Sequence, residues 1–177
     1  MITQWIILKF KFLGLFKNKP IIGKNTFISS DSSIGDYTYV GKNCNVTKSQ
    51  IGRYCSIADN VTIGPGEHNI SKIATTSLFY EHPYEELTNG PCEIGNDVWI
   101  GVNSVIRRGV IIGNGAIVGA NSFVNKNVPD FAVVVGTPAK IIKFRFHDEK
   151  TKLINSSKWW DFDHKIASIK VSQIEKS

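Results

Sequence analysis

The sequence is short of sulfur, of histidine and of long apolar runs, and each shortage removes a class of protein. It has three Cys and one Met in 177 residues. Three thiols without a CxxC spacing supply neither a disulfide framework nor a paired zinc or redox site. An odd count with no secretion signal fits a reducing, cytoplasmic compartment. Only His68, His82, His147 and His164 are available as imidazoles, and their scatter offers no metal-ligand spacing. Acidic residues are absent from residues 1–24, which hold five Lys; residues 140–177 carry nine Lys or Arg against five acids. Between them, residues 25–139 hold seven basic and ten acidic residues. The formal net charge of +6 therefore sits at the two ends of the chain. It does not form the basic, aromatic-studded stripe that a nucleic-acid groove requires.

What is present is a period of six. Aliphatic residues run Ile22, Ile28, Ile34, Val40, Val46, then after one step of five Ile51, Ile57, Ile63. They resume as Ile94, Ile100, Ile106, Ile112, Val118 and Val124. Helices repeat near 3.6 and half-buried strands at 2. Six fits a parallel β-helix, whose unit is one short face and one corner. The aliphatic side chain points into the coil and stacks on its equivalents. Gly follows it in many units (Ile34-Gly35, Ile51-Gly52, Ile100-Gly101), which predicts a corner turned without a Cβ penalty. A small residue four places on, as in Thr26, Thr38, Cys44, Cys55 and Ser104, also points inward. The five-residue unit from Val46 to Gln50 predicts a deletion absorbed at a corner.

These signals divide the chain into a cap (1–20), a coil (21–146) and a helical tail (147–177). An excursion over 69–93 without the sixfold period interrupts the coil. The cap contains the apolar run 2–16, broken by Lys9 and Lys11, too short to span a bilayer and without a signal-peptide cleavage site. It reads as a plug for the open end of the coil; the alternative is a peripheral membrane contact through residues 1–16. Long loops on rigid scaffolds concentrate binding groups, and the excursion carries Phe79, Tyr80, His82 and Tyr84.

The stretch IGNDVWIGVNSVIRRGVIIGNGAIVGANSFVNKNVPDFAVVVGTPAKIIK (94–143), with IGRYCSIADNVTIGPGEHNI (51–70) and the Trp-rich tail around Trp159-Trp160, resembles the hexapeptide-repeat acyltransferases. Within them it is similar to the xenobiotic and chloramphenicol acetyltransferase branch, where many polysaccharide O-acetyltransferases also fall. The resemblance implies an all-β, left-handed parallel β-helix with a C-terminal helix. It also implies a homotrimer with active sites between subunits, and acetyl-CoA as co-substrate without a metal.

Acetyl transfer to a hydroxyl needs a base for the proton and a donor for the developing oxyanion. Histidine as a residue type titrates near ~6.5 and suits the base role. His68, where the coil opens into the excursion, stands where the resemblance places the catalytic base. Glu67, Glu81, Glu85 and Glu86 are candidates to orient it. The resemblance points to Gly101 and Ala120 for the pantetheine arm. It points to Asn125, Lys126, Lys140 and Lys143 for the CoA phosphates, where Lys supplies point charges. His82, Tyr84 and the outward-facing Trp99 are candidate acceptor contacts. The expected activity is O-acetylation of a sugar hydroxyl on a surface polysaccharide or precursor. The alternatives are O-acetylation of an antibiotic, N-acetylation of a nucleotide amino sugar, and a non-enzymatic scaffold.

Overall fold

The computed structural model describes residues 18–177. The alternative membrane contact through residues 1–16, and all but the last three residues of the expected cap, lie outside the described residues. Among the described residues, fifteen short strands form a three-sided coil. The first face is the parallel column β1 (Ile21–Ile22), β4 (Tyr39–Val40), β7 (Ser56–Ile57), β10 (Trp99–Ile100), β13 (Ile117–Val118) and β15 (Ala132–Gly136). The second is β2 (Phe27–Ile28), β5 (Asn45–Val46), β8 (Thr62–Ile63), β11 (Val105–Ile106) and β14 (Phe123–Val124). The third is β3 (Ser33–Ile34), β6 (Ser49–Ile51), β9 (Cys92–Ile94) and β12 (Ile111–Ile112). A sixteenth strand, β16 (Ala139–Phe144), folds back antiparallel on β15 and ends the first face. The step of five falls at the corner between β5 and β6, where Lys48 takes a left-handed φ of 43°.

The coil interior is the aliphatic repeat itself. Val40, Val46, Ile57, Ile63, Ile100, Ile106 and Val118 are all fully buried. Ile22, on the first coil, is 40% exposed. One coil cannot cover its own interior, so each depends on its neighbour. The small residues wire the stack together. Thr26 Oγ1 donates to Gly41 O at 2.7 Å, Thr38 Oγ1 to Gly52 O at 2.8 Å, and Ser104 Oγ to Gly119 O at 3.0 Å. Cys55 Sγ does the same to Gly95 O at 3.1 Å.

The corners differ from the expectation in one respect. The residues with left-handed φ are chiefly not the glycines but those three places after the aliphatic: Asn25, Asn43, Asn60, Asn103 and Asn121, at φ 55–59°. Asn tolerates this region because its short amide bonds locally. Here the amides also form a ladder, each Nδ2 donating to the next Oδ1 at 3.1–3.3 Å. The glycine after the aliphatic is needed for clearance instead. A Cβ at Gly101 would lie 2.5 Å from the Ala120 N of the next coil.

The tail is two helices rather than one: α2 (Asp148–Ser157) and α3 (His164–Lys176). Lys158 stops α2 at φ 44°, a 3-10 turn follows over Trp159–Asp161, and Asp163 caps α3 by accepting from Ile166 N at 3.0 Å. Phe131, Ile154 and Trp160 form a second small core beneath them. Tyr54, stacked on Tyr37 at 4.6 Å, donates from its hydroxyl to Phe162 O at 2.9 Å and so ties tail to coil. Among the described residues no helix is long and apolar enough to cross a membrane.

Candidate active site

The excursion leaves the coil after β8 and returns at β9 without loss of phase: Ile51 pairs with Ile94 across it. It carries a 3-10 turn at Ser77–Phe79 and a short helix, α1 (Pro83–Leu87). Gly64 begins the departure at φ 62°. An added Cβ there would lie 2.7 Å from Thr47 O and 3.0 Å from the Arg108 guanidinium, so only glycine fits.

His68 follows four residues later. Its backbone is pinned on both sides: Glu67 N donates to Leu87 O at 2.8 Å, and Asn69 N donates to Tyr80 Oη at 2.9 Å. Tyr80 is itself buried and donates from its hydroxyl to Thr75 O at 3.3 Å. The imidazole is exposed, with the Tyr80 ring 6.2 Å away. A fixed backbone thus presents an exposed imidazole where the coil opens into the excursion.

Two of the four candidate carboxylates are engaged elsewhere. Arg107 holds Glu67 through both oxygens, Nε to Oε1 at 2.6 Å and Nη2 to Oε2 at 2.8 Å. Lys72 holds Glu86 at 2.6 Å, and this hydrogen bond keeps the Glu86 carboxyl below its ordinary value. Tyr84 donates to both oxygens of Asp31, at 2.9 and 3.0 Å, tethering α1 to the first coil. Hydrogen bonds from Ser29 first and Tyr84 second outweigh desolvation and lower the Asp31 pKa. His82 precedes α1 and, with Asn69, Glu85, Glu86 and Asn89, lines an open cavity of about 310 Å³.

The other expected residues sit further along. Trp99 faces outward on β10, 54% exposed, between Ser56 and Ile117. Gly101 and Ala120 are stacked on successive coils beside it. Asn125 and Lys126 follow β14, the last strand of the second face, while Lys140 and Lys143 lie on β16 at the end of the first. The described residues thus place these three Lys at one end of the coil and His68 at its middle corner. No group of three His, Cys, Asp or Glu among the described residues could hold a metal ion.

Sequence reasoning passed over Arg107 and Arg108. Their neighbouring positions in the corner after β11, at the level above the excursion, were the available signal.

Residues 91–126 match the bacterial transferase hexapeptide family (six repeats). A chloramphenicol acetyltransferase of Agrobacterium fabrum is 36% identical over 121 residues, covering 62% of this chain and 58% of that one. A probable macrolide acetyltransferase of Lysinibacillus sphaericus is 38% identical over 123 residues, 63% of this chain and 68% of the relative. A galactoside acetyltransferase solved in complex with coenzyme A superposes with a TM-score of 0.53 at 29% identity, over 78% of this chain and 76% of its own. The chain spans 58–68% of the length of the curated acetyltransferases it matches at 32–38% identity. With the sixfold coil, the interrupting excursion and these identities in agreement, the chain belongs to the hexapeptide-repeat acetyltransferase family, whose coil is a left-handed β-helix.

Proposed function

We propose that the protein is an acetyl-CoA-dependent O-acetyltransferase that acetylates a hydroxyl of a sugar, in a surface polysaccharide or its precursor. The observation that carries this reading is His68: an exposed imidazole on a backbone hydrogen-bonded at both flanking residues. His68 takes the proton from the acceptor hydroxyl as that oxygen attacks the thioester carbonyl. The tetrahedral oxyanion then collapses, the C–S bond breaks, and the imidazolium returns its proton to the CoA thiolate. The pantetheine arm lies against the backbone at Gly101 and Ala120, and Lys126, Lys140 and Lys143, with Asn125, meet the phosphates. A similar protein was solved with coenzyme A bound, and its name is that of a sugar acetyltransferase.

Two features support a saccharide acceptor. The cavity beside Asn69 is lined by His82, Glu85, Glu86 and Asn89, polar groups throughout, which suits a polyol. Trp99 offers a flat apolar surface at the coil's flank, on which a sugar face can rest. Antibiotic acetylation is the second reading, favoured by the names of the chloramphenicol and macrolide relatives. In either case the excursion's exposed Ile70, Ile73, Leu78 and Phe79, 74–109% accessible in the single chain, support a homotrimer with active sites between subunits.

The test is calorimetric titration with acetyl-CoA, followed by a thiol-release assay over sugars, chloramphenicol and a macrolide. Binding in the micromolar range and turnover of a sugar are expected. His68→Ala should lower the rate by about 10²–10⁴-fold with acetyl-CoA binding retained. An unchanged rate would remove His68 from the mechanism.

A further inference from the structure

The excursion removes the corner that β8 would otherwise share with β9. Elsewhere that corner is closed by backbone and short side chains; on the level below, Lys48 N donates to Ser29 Oγ at 2.8 Å. At the excursion's level the gap is filled from above. Arg108, only 8% exposed, runs back along the coil axis. Its Nη2 bonds Gly64 O, the departing stem, and its Nη1 reaches Gly90 O, the returning stem, at 3.5 Å. Nη1 also donates to Thr47 O at 3.0 Å and Lys48 O at 3.1 Å, one coil further down. A buried guanidinium among four carbonyls is costly unless those bonds are made. Its Nε has no partner at all. Next to it, Arg107 grips Glu67 through both oxygens, and Glu67 is bonded to His68 in the chain.

We propose that Arg107 and Arg108 are positioning residues for His68. Together they form a two-pronged clamp, Arg108 closing the stems of the excursion and Arg107 fixing the arm from Gly64 to His68. The clamp acts through backbone and Glu67, not through contact with a reacting atom. It deepens the acetyl-transfer reading and rests on it for its functional meaning, although the clamp itself can be tested without any substrate. The planar fork of Arg is what the geometry uses: bidentate on a carboxylate at 107, four carbonyls on two levels at 108. Lys supplies neither arrangement.

Hydrogen exchange read by mass spectrometry, on the full chain, tests this directly. Arg107→Ala and Glu67→Gln alter half-exposed side chains and leave the coil intact. Each should speed exchange of the amides from Gly66 to Asn69 at least tenfold, with the Ile100–Ile106 coil amides unchanged. The reversed pair, Glu67→Arg with Arg107→Glu, should restore slow exchange. Arg108→Lys should loosen both stems, around Gly64 and Gly90, together. The spectroscopic check is the ¹³Cε1 histidine resonance of His68, assigned by its loss in His68→Asn. It should broaden or shift in Arg107→Ala and Glu67→Gln, while those of His147 and His164 stay put. Unaltered exchange and an unaltered His68 resonance in Arg107→Ala overturn the clamp. So does loosening that the reversed pair fails to rescue.

Acetyl-CoA titration on the same samples separates the two ideas. Wild-type protein that does not bind it removes the acetyl-transfer reading and leaves the exchange result standing. Where transfer is measurable, Arg107→Ala should lower kcat on the order of tenfold to a hundredfold, with KM for acetyl-CoA unchanged, since a displaced base costs rate rather than binding. A fall confined to KM contradicts positioning of His68.

Discussion

Replacing Thr38 by Val should cost about 2–4 kcal/mol of folding stability, although the side chain keeps its size and shape. Thr38 is fully buried. Its hydroxyl donates to Gly52 O at 2.8 Å and accepts from Cys55 N at 3.0 Å, so one oxygen serves two backbone groups of the next coil. Val removes both bonds and leaves a donor and an acceptor in a space too tight for water. A buried group stripped of its partner costs about 1–3 kcal/mol, and the carbonyl, with two lone pairs, suffers less than the N–H. Thr38→Ser is the control. It keeps both bonds and loses one methyl, about 1 kcal/mol by the usual cost of an unburied carbon. The expected order is therefore wild type, then Ser, then Val. Urea unfolding at one fixed protein concentration reads the difference, provided the slope with denaturant is the same for all three. If Val proves as stable as Ser, the hydroxyl wiring between coils is not what holds them in register, and the aliphatic stack alone must do so.

Gly101→Ala should lower the melting temperature, because the new Cβ would stand 2.5 Å from Ala120 N and 2.9 Å from its Cα, backbone that can yield only by parting two coils. Overpacking of this kind costs about 1–3 kcal/mol, and a variant that melts with the wild type refutes the clearance argument. The three thiols should be silent to Ellman's reagent at pH 8 and all react in urea. Cys44, Cys55 and Cys92 are 2%, 1% and 0% exposed, and burial pushes the Cys55 thiol up to about 12. Any native thiol that labels within minutes contradicts their place in the coil interior.

The inward column was legible because it depends on one residue in six and on nothing distant. That the coil breaks after Ile63 and resumes at Ile94 was equally plain, but the excursion spans 64–91 rather than the expected 69–93, and its phase, 31 residues on, shows only in the pairing of Ile51 with Ile94. The role of the glycines was misread. Composition at a corner suggests a left-handed turn, and only the coil above reveals that the constraint at Gly101 is a neighbour's backbone. The asparagine ladder was missed for a related reason. Its members, Asn25, Asn43, Asn60, Asn103 and Asn121, recur once per three units and look like ordinary polar corners until coils are stacked. Around His68, the sequence offered four orienting carboxylates without ranking them: Glu81, Glu85, Glu86 and, adjacent in the chain, Glu67. The structure turns that carboxylate toward Arg107, forty residues away, a pairing that adjacency in the chain cannot foretell. The break in the tail rests on the conformation of Lys158, which no apolar spacing encodes.

The pairing of Ile51 with Ile94 across the excursion bears on how such proteins diversify. A loop whose two ends rejoin on one rung can be lengthened, shortened or exchanged while the ladder on either side keeps its alignment. The entropy of closing it grows only with the logarithm of its length, about 0.6 kcal/mol per doubling. Under the proposed function, acceptor choice can therefore drift, by insertion and recombination at a single corner, at little thermodynamic risk to the scaffold. For an engineer the same corner is a graft point. A foreign loop needs a glycine at departure and an answer to the void that Arg108 now fills.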